Sequence, residues 1–144
     1  MKVKEIMTRD LSAIEVDTLI SEFIYIVGKS GLSSLPVVDE EDRIVGIISE
    51  RDVIGAVLPG YYEALRGTPF APNPDEMTHK LAQVGDEPVQ NYMTTPVKTI
   101  QESEDDLFVA DFMFRNNLKI LPVVDDEGRL SGLVRRFDLL KSLG

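Results

Sequence analysis

Leu35-Pro36-Val37-Val38-Asp39 is followed 86 residues later by Leu121-Pro122-Val123-Val124-Asp125. The same interval separates Met7-Thr8 from Met93-Thr94, Gly46 from Gly132, and Asp52 from Asp138. Landmarks held at one constant spacing indicate one module written twice with no net insertion inside it. A continuous valine-rich run of this length reads as a buried strand, and the acidic residue that closes it begins a turn. Two similar halves that each expose an apolar face should pack together and leave equivalent clefts, which favours ligand binding over catalysis.

Working outward from those runs, each half reads alike. A short apolar piece, Ala13-Ile14 or Thr99-Ile100, comes first. A helix is predicted next, from Ile20, Phe23, Ile24 and Val27 in one half and from Leu107, Ala110 and Phe114 in the other. Asp17 and Thr18 are candidate caps for the first helix, and the acidic run 102–106 complements the dipole at the start of the second. Gly31 and Asn116-Asn117 supply helix stops. Beyond the valine-rich strands, the polar turns 39–42 and 125–128 lead into returning strands over 44–48 and 130–134. A second helix then starts near Ser49 to Asp52 and near Arg135 to Asp138, with Val53, Ile54, Val57 and Leu139, Leu140, Leu143 as its apolar face. The expected fold class is α+β (α/β), with two β-α-β-β-α repeats packed as a pseudo-two-fold symmetric pair. Residues 1–58 form repeat 1 and residues 89–144 form repeat 2. The connector 59–88, broken by prolines, has room for short helices at 61–65 and 76–81.

The chain has 144 residues, 43% of them hydrophobic and 28% charged, which fits a globular protein. A formal net charge of −10 and the lack of a basic cluster argue against nucleic-acid or anionic-membrane partners. No run of 18 apolar residues predicts a membrane span. With no apolar signal core after Met1 and no cysteine, a cytoplasmic location is expected. His79, the single histidine, lies in the connector, and no Gly-x-Ser-x-Gly nucleophile motif accompanies it. No catalytic residue and no metal ligand is therefore assigned, and the chain is not expected to be an enzyme. The acidic turns do not match a calcium loop and leave room only for weak Mg²⁺ binding alongside a nucleotide.

The doubled Met-Thr, Leu-Pro-Val-Val-Asp and Gly-x-x-x-x-x-Asp elements resemble a tandem pair of CBS domains (a Bateman module), across residues 3–58 and 89–143. The resemblance implies a pair that often dimerises, binds adenosine-containing ligands in the clefts between repeats, and regulates a partner protein. With no other domain in sight, the chain reads as a stand-alone module. The implied ligand is AMP, ADP, ATP or S-adenosylmethionine, acting as a regulator rather than an obligatory cofactor. The alternative is a constitutive dimerisation or interaction scaffold with vestigial clefts.

Gly46-Ile47-Ile48-Ser49-Glu50-Arg51-Asp52 is similar to the family's nucleotide motif. A carboxylate can accept hydrogen bonds from both ribose hydroxyls, and a helix N-terminus favours phosphate. Ser-x-x-Asp is equally a helix-capping arrangement, and the two roles can coexist. In the second copy Arg135 stands where the motif has Ser or Thr, so a bidentate phosphate contact replaces the hydroxyl while Asp138 remains the sugar anchor. By positional carry-over, one cleft joins Ile47, Ser49 and Asp52 to Lys98, Leu118 and Lys119. The other joins Leu133, Arg135 and Asp138 to Ser12, Leu32 and Ser33. The first, with two lysines, suits a polyphosphate better.

Overall fold

The computed structural model describes residues 1–9, 13–58 and 75–141. Two three-stranded sheets carry the chain. The first has the order β1 (Ile14–Glu15), β2 (Ser34–Val38), β3 (Ile44–Ser49), and the second β4 (Ile100–Gln101), β5 (Ile120–Val124), β6 (Leu130–Arg135). Around them run helices α1 (Ile20–Ser30), α2 (Glu50–Val57), α3 (Glu76–Gly85), α4 (Asp106–Arg115) and α5 (Arg136–Leu140). Short 3-10 turns, Val3–Glu5 and Val89–Asn91, precede each copy. The β-α-β-β-α order expected from sequence is present twice.

The backbone repeats as faithfully as the letters. Four described residues have positive φ, and they form two pairs spaced by the repeat: Gly31 (74°) with Asn117 (52°), and Asp42 (63°) with Gly128 (81°). The first pair ends α1 and α4, and the second turns the β2–β3 and β5–β6 hairpins. Gly, Asn and Asp are the residue types that tolerate this left-handed conformation. The aspartate closing each valine-rich run fastens its hairpin. Asp39 Oδ1 accepts the amides of Glu41 (2.8 Å) and Arg43 (3.0 Å), and Asp125 Oδ1 accepts those of Glu127 and Arg129, both at 2.9 Å. Such Asx turns explain why Asp ends both copies of the motif.

The chain forms two compact units. Unit 1 comprises Met1–Ala13, Val38–Val45 and Pro96–Gly144, and unit 2 comprises Ile14–Val37 and Gly46–Thr95. The leading Met-Thr segment of each copy thus joins the unit built mainly from the other copy. In unit 1, β4 runs parallel to β5, and β5 antiparallel to β6 with a bulge at Val123/Val124. Its core gathers Val3, Ile6 and Met7 with Ile100, Val109, Met113, Leu121, Val123 and Val134. In unit 2, Ile20, Phe23, Leu35, Ile48, Val53 and Val89 are buried, and α3 packs against α1 and α2. The connector's expected helix at 76–81 thus extends to Gly85, whereas 61–65 and Leu143 lie outside the described residues.

Several local expectations change, and Ile24, Ile54 and Leu140 of the expected apolar faces are exposed. Neither Asp17 nor Thr18 caps α1: Leu19 occupies the cap position, and Thr18 Oγ1 accepts the Glu15 amide at 3.1 Å. The spacing Leu107, Ala110, Phe114 also marks the wrong stripe of α4. Val109 and Met113 face the core, while Leu107 and Phe114 are 75% and 87% exposed. This helix is apolar nearly all round, so periodicity alone cannot distinguish its inner face from its outer one.

Candidate functional site

Each copy delivers an aspartate to the start of its second helix, and the local chemistry differs between the two. In unit 2, β3 runs into α2 through Ser49, whose extended backbone (φ −123°, ψ 164°) suits an N-cap. Ser49 Oγ accepts the Asp52 amide at 3.2 Å, and Asp52 Oδ2 accepts from the Ser49 amide (2.8 Å) and hydroxyl (3.0 Å). This is a complete capping box. Thr94 Oγ1 donates to the other carboxylate oxygen, Oδ1, at 3.1 Å. Asp52 is half-buried.

Thr94 reaches that position by backbone pairing. It exchanges hydrogen bonds with Ile47, 2.8 Å from the Thr94 amide and 3.1 Å from the Ile47 amide. The adjacent Met93 lies over Gly46, where any Cβ would collide with the thioether. Unit 1 repeats the device, with Thr8 pairing to Leu133 (2.8 and 3.0 Å) and Met7 lying over Gly132. The doubled Met-Thr and Gly landmarks are therefore one tertiary contact made twice. Sequence reasoning used the Met-Thr pairs as landmarks of the repeat and missed Thr8 and Thr94 as site residues.

Around Asp138 the chemistry departs. Asp138 is 0% exposed. Its Oδ1 accepts Lys141 Nζ at 2.7 Å and Arg135 Nη2 at 3.3 Å, while Oδ2 accepts the Arg135 amide at 2.8 Å and Nε at 3.4 Å. The Thr8 hydroxyl donates across both oxygens at 3.2–3.3 Å. Burial pushes this carboxyl's pKa up, but the Lys141 and Arg135 contacts outweigh it and hold the group below the ordinary aspartate value. Arg135 occupies the cap position without a side-chain cap and turns its guanidinium onto its own aspartate.

The remaining sequence-selected residues divide by unit. Ile47, Ser49 and Asp52 lie together in unit 2, which also contains Leu32 and Ser33; the Ser33 carbonyl accepts the Glu50 amide at 2.9 Å. Leu133, Arg135 and Asp138 lie together in unit 1, with Lys98, Leu118 and Lys119. Lys98 donates to Asn116 Oδ1 at 2.8 Å, the Leu118 carbonyl accepts Arg136 Nε at 3.1 Å, and Lys119 is exposed. Ser12 is outside the described residues. Among the described residues no group of three His, Asp or Glu is placed to hold a metal, and no helix is long and apolar enough to cross a membrane. His79 sits exposed on α3.

Comparison with known proteins connects this geometry to a family. An uncharacterized protein of Methanocaldococcus jannaschii is 31% identical over 154 residues, which cover 99% of this chain and 91% of that protein. Inosine-5'-monophosphate dehydrogenase of the same archaeon is 31% identical over 140 residues, 97% of this chain, but the chain spans only 23% of that enzyme. Among solved structures, the CBS domain pair of protein MJ0100, in complex with 5'-methylthioadenosine and S-adenosyl-L-methionine, superposes with a TM-score of 0.73 at 26% identity, over 100% of this chain and 96% of that one. The CBS domain pattern itself matches residues 3–59 and again 89–144, so this chain belongs to the CBS domain family and carries the domain twice.

Proposed function

We propose that this chain is a regulatory module that binds an adenosine-containing ligand and passes its bound state to a partner protein. The observation that carries the reading is the Asp52 carboxylate. It is half-open to solvent, steadied by Ser49 and Thr94, and positioned in the first turn of an eight-residue helix. Among the described residues one lone-pair direction on Oδ1 stays available for a sugar hydroxyl, and the amides of the α2 N-terminus favour a phosphate nearby. The adenosine compounds in the MJ0100 pair, a relative of the same fold, support that ligand class. Regulation would follow from unequal affinity of the ligand for two states of the module.

A thermal-shift series with AMP, ADP, ATP and S-adenosylmethionine tests the proposal. A ligand at 100 times its Kd adds about 2.7 kcal/mol of stability. Asp52→Ala should abolish the shift produced by the same ligand. No shift with any of the four, or an undiminished one in Asp52→Ala, refutes the reading.

One observation favours the second reading, an interaction scaffold. Leu107, Phe108 and Phe114 on α4, with Phe137 and Leu140 on α5, leave large apolar side chains in solvent. The two helices pack together within unit 1, and grouped apolar exposure of this kind marks protein–protein contact surfaces.

A further inference from the structure

The two aspartates descend from one repeated position, yet their hydrogen-bonding capacity differs. An ionised carboxylate offers about four lone-pair directions. Among the described residues, Asp52 receives the Ser49 amide, the Ser49 hydroxyl and the Thr94 hydroxyl, which leaves one direction on Oδ1. Asp138 receives Lys141 Nζ, the Arg135 amide, Nε and Nη2, and the Thr8 hydroxyl, five donors that exhaust it. Two of these donor groups are cations, so the carboxylate is neutralised as well as saturated.

We infer that Arg135 and Lys141 are built-in counter-ions that close the second site, so that the chain binds one nucleotide, at Asp52. The inference rests on the proposed nucleotide-binding role and adds its stoichiometry and the residues that set it. A sugar diol must displace Lys141 Nζ, held at 2.7 Å, or the Arg135 guanidinium, held at 3.3 and 3.4 Å, and it brings no charge in exchange. Any hydrogen bond to the ionised carboxylate is charge-assisted, but the ammonium and guanidinium add the attraction of opposite charges, which a neutral hydroxyl cannot replace, so the exchange is unfavourable. Arg135 and Lys141 are each 43% exposed while Asp138 is wholly buried, so the two cations form the outer cover of the carboxylate.

The repeat provides the control. One interval earlier, Arg135 and Lys141 correspond to Ser49 and Gly55. Ser49 is a small N-cap that leaves the carboxylate open, and Gly55 has no side chain to reach it. A Cβ built at Gly55 meets nothing within 4 Å, so a side chain can start there without a clash. The difference between an open and a closed copy thus reduces to two exchangeable positions.

The test is AMP stoichiometry by isothermal titration on the full chain. Wild type should bind one AMP, Asp138→Ala should leave that site intact, and Asp52→Ala should remove it. Arg135→Ser with Lys141→Ala should raise the stoichiometry to two, and adding Asp138→Ala to that pair should return it to one. The reciprocal pair, Ser49→Arg with Gly55→Lys, should lower it to zero while thermal melting shows a folded chain. This second pair keeps the test decisive if the first fails to fold. Two AMP per wild-type chain, or one per chain after Arg135 and Lys141 are removed, overturns the closure and leaves the proposed function standing. No AMP binding by wild type overturns this inference, and silence of all four compounds in the thermal series is what overturns the function itself.

Discussion

Alanine in place of Gly132 probes the contact that seats the leading segment on unit 1. A Cβ at this position would sit 2.6 Å from Met7 Sδ, 2.9 Å from Met7 Cγ and 3.1 Å from the Thr8 carbonyl oxygen. The methionine end is flexible and can swing, but Met7 is buried and has little room. The Thr8 carbonyl cannot retreat without stretching its 3.0 Å bond from the Leu133 amide and moving the hydroxyl that serves Asp138. Overpacking of this kind costs about 1–3 kcal/mol, and the backbone obstacle puts Gly132→Ala near 2–3. At Gly46 the three nearest atoms all belong to the Met93 side chain, so Gly46→Ala should cost about 1 kcal/mol, at the low end. The assay is urea unfolding of a double-mutant cycle with Met7→Ala. Removing the thioether should relieve the side-chain part of the clash, giving a coupling of about 1 kcal/mol, outside the roughly 0.5 kcal/mol scatter of independent sites. A Gly132→Ala protein within about 0.5 kcal/mol of wild type, or an additive cycle, would refute the seating.

Two further outcomes follow from other parts of the structure. The Asp138 carboxyl is held below its ordinary pKa, so its contribution to stability is complete above about pH 4 and lost as pH falls through the folded-state value. Unfolding midpoints in urea from pH 7 to pH 2 should therefore fall less steeply at the acid end for Asp138→Asn than for wild type, and superimposable acid limbs would contradict the ion-pair account. If a second copy covers α4 and α5, sedimentation velocity should give a dimer for wild type and a monomer for Phe114→Glu with Phe137→Glu, both at exposed positions where folding should survive. A monomeric wild type removes the self-association reading.

Much of the fold was legible because the repeat supplied an internal alignment. The valine-rich strands, the polar hairpins and the glycine or asparagine stops each occur twice, and the structure puts left-handed residues at matching positions, 31 with 117 and 42 with 128. What failed was local. The inner stripe of α4 was misplaced because Leu107, Phe108, Val109, Phe112, Met113 and Phe114 leave only the narrow Asp111–Arg115 strip as a polar face. Long-range pairing was equally hidden, since the spacing gave no sign that Thr8 would pair with Leu133 or Thr94 with Ile47.

At the site, legibility ended where the two copies stopped matching. Ser-x-x-Asp predicted both a cap and a sugar anchor, and the capping half is present at Ser49 and Asp52. The expectation that Arg135 faces a phosphate rests on a motif, and a motif gives a side chain's position but not its direction. At an extended cap position the guanidinium can turn outward to a ligand or back to the residue three places on. With Lys141 one helical turn further along, it turns back, and the pair encloses Asp138. Asp52 has no equivalent neighbour, since the matching position is Gly55. On the proposed closure, a retained aspartate is not sufficient for a retained site: the donors one turn along the helix decide whether its lone pairs face the protein or are left for something else.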